Sequence, residues 1–299
     1  MKFLFLFILF IGFTFSDDSP YVVVLGIAQD GGSPHAGCEK ICCKDLWVNG
    51  KKEKVSCIGI VDPKSGKSWM IDATPDFPEQ YRIIIKDHQT ELAGIFLTHA
   101  HMGHYTGLLH LGREVMGAKD IPIFAMPEMK RFLETNGPWN QLVSLNNIEI
   151  QLMKNDKEIK LTDGLFIEPF IVPHRDEYSE TVGFKIMGTN QSVLFIPDIN
   201  KWEKWDQEIF EVIKNIDIAL LDGTFYSQGE LPNRNMSEIP HPFIVESMET
   251  LYHLNTPNRN KVHFIHFNHS NPAIKDGTAS NLIRSDRFNV AREGMIFPL

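Results

Sequence analysis

LTHAHMGHYTG, Leu97 to Gly107, decides how the chain is read. It directly follows an apolar run, Ala93-Gly94-Ile95-Phe96, that reads as a buried strand. His99, His101 and His104 then fall within six positions. One or two histidines would serve a solvated turn. Three crowded imidazoles repel one another once protonated, and a divalent cation removes that conflict by taking the neutral ring nitrogens as ligands. In extended chain His99 and His101 share a side. A turn at Met102-Gly103 lets His104 lead into a helix, expected over residues 105–116, so that three rings aim at one point.

Working outward, other apolar runs stop in the same way. Asp72 follows Trp69-Met70-Ile71, His174 follows Phe170-Ile171-Val172-Pro173, and Asp198 follows Leu194-Phe195-Ile196-Pro197. Asp222 follows Leu220-Leu221, and His266 follows Phe264-Ile265. Taken singly, each is an ordinary cap or turn former. As a series beside the triple histidine, they read as a metal cage. Further strands are expected at residues 21–28, 55–61, 121–125, 148–153, 181–186 and within 288–297. Helices are expected at 78–86, 127–135, 204–215 and 241–254. Apolar strands interleaved with helices in both halves suit an α/β fold, two sheets face to face with helices outside.

The rest of the chain bounds the function. Residues 1–16 carry one Lys and then an apolar run, the pattern of a signal peptide. The run is short for a membrane span, so no stable membrane anchor is expected. The reading is an exported protein, periplasmic or extracellular, with residues 17–299 as a single domain. Twenty-nine basic residues against 38 acidic give a net charge of −9, which argues against broad nucleic-acid binding. A small-molecule substrate is expected instead; the oligomeric state is not readable. Cys38, Cys42, Cys43 and Cys57 cluster early. They suit either disulfides or a structural zinc held by Cys38, Cys42 and one of Cys43, Cys57 or His35, with free buried thiols as the third alternative.

The order H-x-H-x-x-H, His, Asp, His resembles the metallo-β-lactamase-fold hydrolases, and within them the branch of coenzyme PQQ synthesis protein B. The stretches that carry the resemblance are LGIAQDGGSPHAGCEKICC, LTHAHMGHYTGLLHLGREVMG, VPHRDEYSETVGF, FIPDIN, LLDGTFYSQGEL and IHFNHSNP. The resemblance implies a four-layer αββα sandwich with metals at one edge between the sheets. It implies a first site of His99, His101 and His174, with Asp198 bridging to a second site of His104 and His266. Asp72 would orient the histidine turn, and His241 would donate a proton to a leaving group. Gly103 departs from the pattern: most of the superfamily has Asp there. The second site is therefore expected to be weak, empty, or completed by water, His269 or Asp222, and Gly103→Asp to strengthen it. One or two zinc ions are expected, with Fe or Mn as substitutes. The implied function is hydrolysis of a phosphodiester, ester or amide. A biosynthetic or oxidative role like that of the PQQ branch, or metal binding without catalysis, are the alternatives.

Overall fold

The computed structural model describes residues 18–299; the signal-peptide reading of residues 1–16 lies outside the described residues. Fourteen strands form two seven-stranded sheets. The first contains β1 (Tyr21–Gly26), β2 (Cys57–Asp62), β3 (Lys67–Ile71), β4 (Glu91–Phe96), β5 (Ile121–Ala125), β6 (Ile148–Leu152) and β14 (Ile296–Pro298). The second contains β7 (Ile159–Thr162), β8 (Leu165–Ile171), β9 (Val182–Met187), β10 (Ser192–Ile196), β11 (Ile218–Asp222), β12 (Val262–Ile265) and β13 (Asn289–Val290). Their orders are β14-β1-β2-β3-β4-β5-β6 and β13-β12-β11-β10-β9-β8-β7. The layered α/β sandwich expected from the sequence is the observed fold.

Alternation along β1 shows how the layers form. Val22 and Val24 join Ile58, Ile60, Phe96, Phe184 and Phe195 in the core between the sheets. Val23 and Leu25 point the other way, to a second core with Phe77, Ile84, Leu108 and Leu133. Both faces are covered, which is why β1 reads as an unbroken apolar run rather than an alternating one. Helices Phe77–Arg82 and Pro127–Thr135 contribute to the core over the first sheet. Helices Ile209–Lys214, Ile244–Thr250 and Thr278–Ser285 pack against the second. Among the described residues no helix is long and apolar enough to cross a membrane.

Two helices differ from expectation where the site is built. Of the helix expected over residues 105–116, only a short α-helix, Met102–Tyr105, which itself contains His104, and a 3₁₀ segment, Thr106–Leu111, are formed. Gly107 presses so closely on the Thr74 carbonyl that a Cβ would stand 2.2 Å from it, so the 3₁₀ segment admits only glycine there. The helix expected from residue 241 begins at Ile244. Pro242 disfavours helical backbone at the preceding residue and leaves His241 on a loop.

Candidate metal centre

The Asp and His residues at the strand ends meet at one edge of the sandwich. His99, His101, His174 and Asp198 offer ligand atoms that all lie within 4.8 Å of one another. Asp198 is their hub. Its Oδ2 lies 3.3 Å from His99 Nε2 and 3.9 Å from both His104 Nε2 and His266 Nε2. Its Oδ1 lies 3.2 Å from His174 Nε2. The five histidines expected to hold metal are thus brought together around the sixth expected ligand, the Asp198 carboxylate, itself 2% exposed.

The outer faces of the rings are braced. Asp72 accepts from the Thr98 backbone N–H at 2.8 Å and the Thr98 hydroxyl at 2.9 Å. Thr98 Oγ1 in turn lies 2.9 Å from His99 Nδ1, and Asp72 Oδ2 lies 2.6 Å from His104 Nδ1. In the second sheet, Asp222 accepts from the Thr224 hydroxyl at 2.7 Å, and Thr224 Oγ1 lies 3.0 Å from His266 Nδ1. Because the threonine hydroxyl donates to the carboxylate, it accepts from the ring. Nδ1 of His99 and of His266 therefore carries the proton, and Nε2 is left with a lone pair facing the centre. Asp72 and His266 both have left-handed backbone, with φ of +72° and +66°. Such geometry costs about 1–3 kcal/mol per residue and persists only where surrounding contacts enforce it. Here the Asp72 N–H bonded to the Phe96 carbonyl at 2.8 Å supplies one such contact.

The donor set fits a metal. Nε2 of His104, His174 and His266, Oδ1 of Asp198 and Oδ1 of Asp30 are all buried without a hydrogen-bond partner. Orphaned polar atoms are costly inside a protein, and here they converge. The electrostatics agree. Burial holds the His99 pKa well below its ordinary value and takes His174 down to about 4, so both rings stay neutral. Burial opposes charge on His104, but the Asp72 and Asp30 carboxylates outweigh it and hold its pKa well above the usual range. A cation arriving there displaces a proton.

Several candidates land elsewhere. His269 does not complete the second site; its ring lies 4.3 Å from that of His35, tilted by 32°, and it joins Cys38, Cys42 and Cys43 within 4.8 Å. It takes the place expected for His35. Asp222 stands apart from His104 and His266: it hydrogen-bonds His241 Nδ1 at 2.9 Å, and with His241 and Asp198 it forms a separate group of potential ligands. That nitrogen also lies 3.0 Å from Asp198 Oδ1. The pull of Asp222 and Asp198 overcomes burial and raises the His241 pKa to about 10. All four thiols are free, so the disulfide expectation is corrected: Cys38 Sγ and Cys42 Sγ stand 3.7 Å apart, unbonded. Cys57 leaves the cluster altogether. It sits in β2 with its thiol toward the Asp72 carbonyl, 3.5 Å away. Nor does Gly103 have room for a carboxylate, since a Cβ there would lie 2.2 Å from Asp30 Oδ1. Two residues at the centre went unread in the sequence. Glu177 lies 3.0 Å from His101 Nε2, and Asp30 lies 3.3 Å from His104 Nε2.

Two seven-stranded sheets with helices outside and a His/Asp cluster at their edge define a metallo-β-lactamase fold. The family described as the beta-lactamase superfamily domain matches residues 69–267, and the chain belongs to it. Within that superfamily the chain resembles coenzyme PQQ synthesis protein B. It is 24% identical to that protein of Acinetobacter baumannii (strain SDF) over 307 residues, 92% of this chain and 98% of the relative. Zinc-bound PqqB from Methylobacterium extorquens has the same fold, with a TM-score of 0.79 at 20% identity, covering 93% of this chain and 100% of that one. A diphosphatase of the PhnP family gives a TM-score of 0.64 at 20% identity, covering 94% and 97%.

Proposed function

We propose that this chain is a metal-dependent hydrolase acting on a small-molecule phosphodiester, ester or amide. One observation carries the reading: buried, unpartnered Nε2 atoms of His104, His174 and His266 converge with His99 on the Asp198 carboxylate. His99, His101, His174 and Asp198 would hold a first metal; His104, His266 and Asp198 face a second. Imidazole with carboxylate suits zinc first and Fe or Mn next. When bound, the metal lowers the pKa of a water to about 7 and polarises the bond under attack. Asp198 orients the attacking water. His241 presents its Nδ1 to two carboxylates, and Asp222, which is not a metal ligand in this reading, favours its protonated form. Its Nε2–H is then free to protonate a leaving oxygen, the help that a poor alkoxide leaving group needs.

The thiol cluster of Cys38, Cys42, Cys43 and His269 suits a structural zinc: three sulfurs and one imidazole is a closed structural set. Export through residues 1–16 belongs to the same reading, and N-terminal sequencing of the mature protein tests it. Near full-length similarity to the PQQ synthesis proteins favours a second reading, a biosynthetic or oxidative role.

The test is elemental analysis of purified protein with a panel of phosphodiesters, carboxylic esters and lactams. Turnover that chelation abolishes and zinc restores is expected. Stoichiometric metal in the His/Asp centre with no turnover on any substrate overturns the hydrolase reading.

A further inference from the structure

The missing carboxylate of the second site has a replacement from another part of the chain. We propose that Asp30, on the loop after β1, is the ligand that stands in for the Asp absent at position 103. Gly103 is then glycine because Asp30 occupies the space its side chain would need. The inference rests on the reading that metals occupy the His/Asp centre.

Three observations meet on it. Asp30, His104 and His266 offer ligand atoms all within 4.8 Å of one another. Asp30 Oδ1 is buried with no hydrogen-bond partner, and it faces the equally orphaned His104 Nε2 at 3.3 Å. A Cβ on residue 103 would stand 2.2 Å from Asp30 Oδ1 and 2.6 Å from Asp30 Cα. The second contact is to backbone, so no rotamer change relieves it. One position can supply the carboxylate or the other can, but not both in this backbone.

The loop is built to deliver Asp30 where His266 is delivered. Phe267 N–H bonds the Ile27 carbonyl at 2.7 Å, and Gln29 N–H returns to the Phe267 carbonyl at 2.8 Å. These bonds tie the end of β1 to the end of β12 across the two sheets, one residue from His266 and one from Asp30. The glycines after Asp30 let the chain turn away at once. Gly31 packs where a Cβ would stand 2.6 Å from the His35 ring, and Gly32 has φ of +67°. The second site then has two carboxylates, Asp30 and Asp198, beside two neutral imidazoles. Two negative ligands balance a divalent cation, and the weakness expected from Gly103 disappears.

The decisive experiment uses zinc alone as the probe. Crystals of the unmodified protein grown with zinc should show two anomalous peaks in the His/Asp centre. The second should lie about 2.0–2.2 Å from an Asp30 oxygen. Zinc titration of Asp30→Asn should keep the first site and weaken the second by more than the roughly 10–100-fold that loss of an outer partner costs. Gly103→Ala should weaken the same site by displacing Asp30. Any zinc on the thiol cluster is common to all variants and cancels. A single peak at the first cluster, a second peak out of reach of Asp30, or an Asp30→Asn protein with both sites at full affinity overturns the inference alone. No peak at either cluster defeats the hydrolase reading instead.

Discussion

Asp72 and Asp222 are two versions of one device, in different sheets. Each is fully buried at the carboxyl end of a strand, Asp72 just after β3 and Asp222 as the last residue of β11. Each holds a threonine, Thr98 or Thr224, that orients a histidine, His99 or His266. Each also grips the Nδ1 of a further histidine, His104 or His241. The difference lies in what that last ring meets. His104 turns its Nε2 into the centre beside Asp30 and Asp198. His241 instead brings the nitrogen that Asp222 holds to within 3.0 Å of Asp198. A ring held by one nitrogen, with its other nitrogen facing the cluster, becomes a ligand by giving up its proton to an arriving cation. A ring whose one nitrogen is shared by two carboxylates keeps its proton.

Asp198, where the two corners meet, carries the largest expected effect. Asp198→Asn should remove both metals, as judged by elemental analysis of the folded variant. Retention of either would show that the corners work independently. Next come the two brace carboxylates. Asp72→Asn should weaken metal binding about 10–100-fold in a zinc titration, because it loosens His99 and His104 together. Asp222→Asn should spare the first-site affinity while reducing turnover. Equal effects of the two substitutions would erase the distinction between them. Thr98→Val and Thr224→Val should each lower stability by roughly 1–3 kcal/mol in denaturant unfolding, since each leaves buried partners unsatisfied.

A smaller effect is the pH dependence of stability in metal-free protein. The His241 pKa is raised to about 10, above its ordinary 6.5. The stability it contributes is therefore complete below about pH 6.5 and is lost as pH rises toward 10. His174, lowered to about 4, acts on the other side: its contribution is lost as pH falls from 6.5 to 4. Melting temperature against pH should fall at both ends, and His241→Gln should shrink the alkaline limb, which His104 also feeds, while leaving the acid limb unchanged.

Much of this centre was legible because apolar runs end abruptly in Asp or His. Strand periodicity locates the run, and the polar residue then has one edge to occupy. Pro127–Thr135 was equally plain, with proline at its start and apolar residues at helical spacing. Asp30 was not legible. Gln29-Asp30-Gly31-Gly32 reads as a turn, and turn chemistry alone explains an Asp-Gly pair. Only the bond pattern between β1 and β12 carries that side chain to His104. Glu177 was hidden for the same reason, and His269 was read as a ligand but of the wrong cluster, since loop residues take their partners from tertiary approach. Helix Ile41–Asn49 escaped notice because its apolar residues lack a consistent face: Ile41 and Val48 are exposed while Cys43 and Leu46 are buried.

The most direct test measures metal content and turnover on the same samples of the unmodified protein, His174→Ala and His241→Gln. The substrates are one phosphodiester with an alkoxide leaving group and one with a p-nitrophenolate. His174→Ala should lose first-site metal and turnover together. His241→Gln should keep its metal and lose about 10²–10⁴ in rate on the alkoxide substrate, with far less loss on p-nitrophenolate, which departs without a proton. A His241→Gln protein that loses metal, or that hydrolyses the alkoxide substrate at the unmodified rate, would contradict the assignment of ligand and acid.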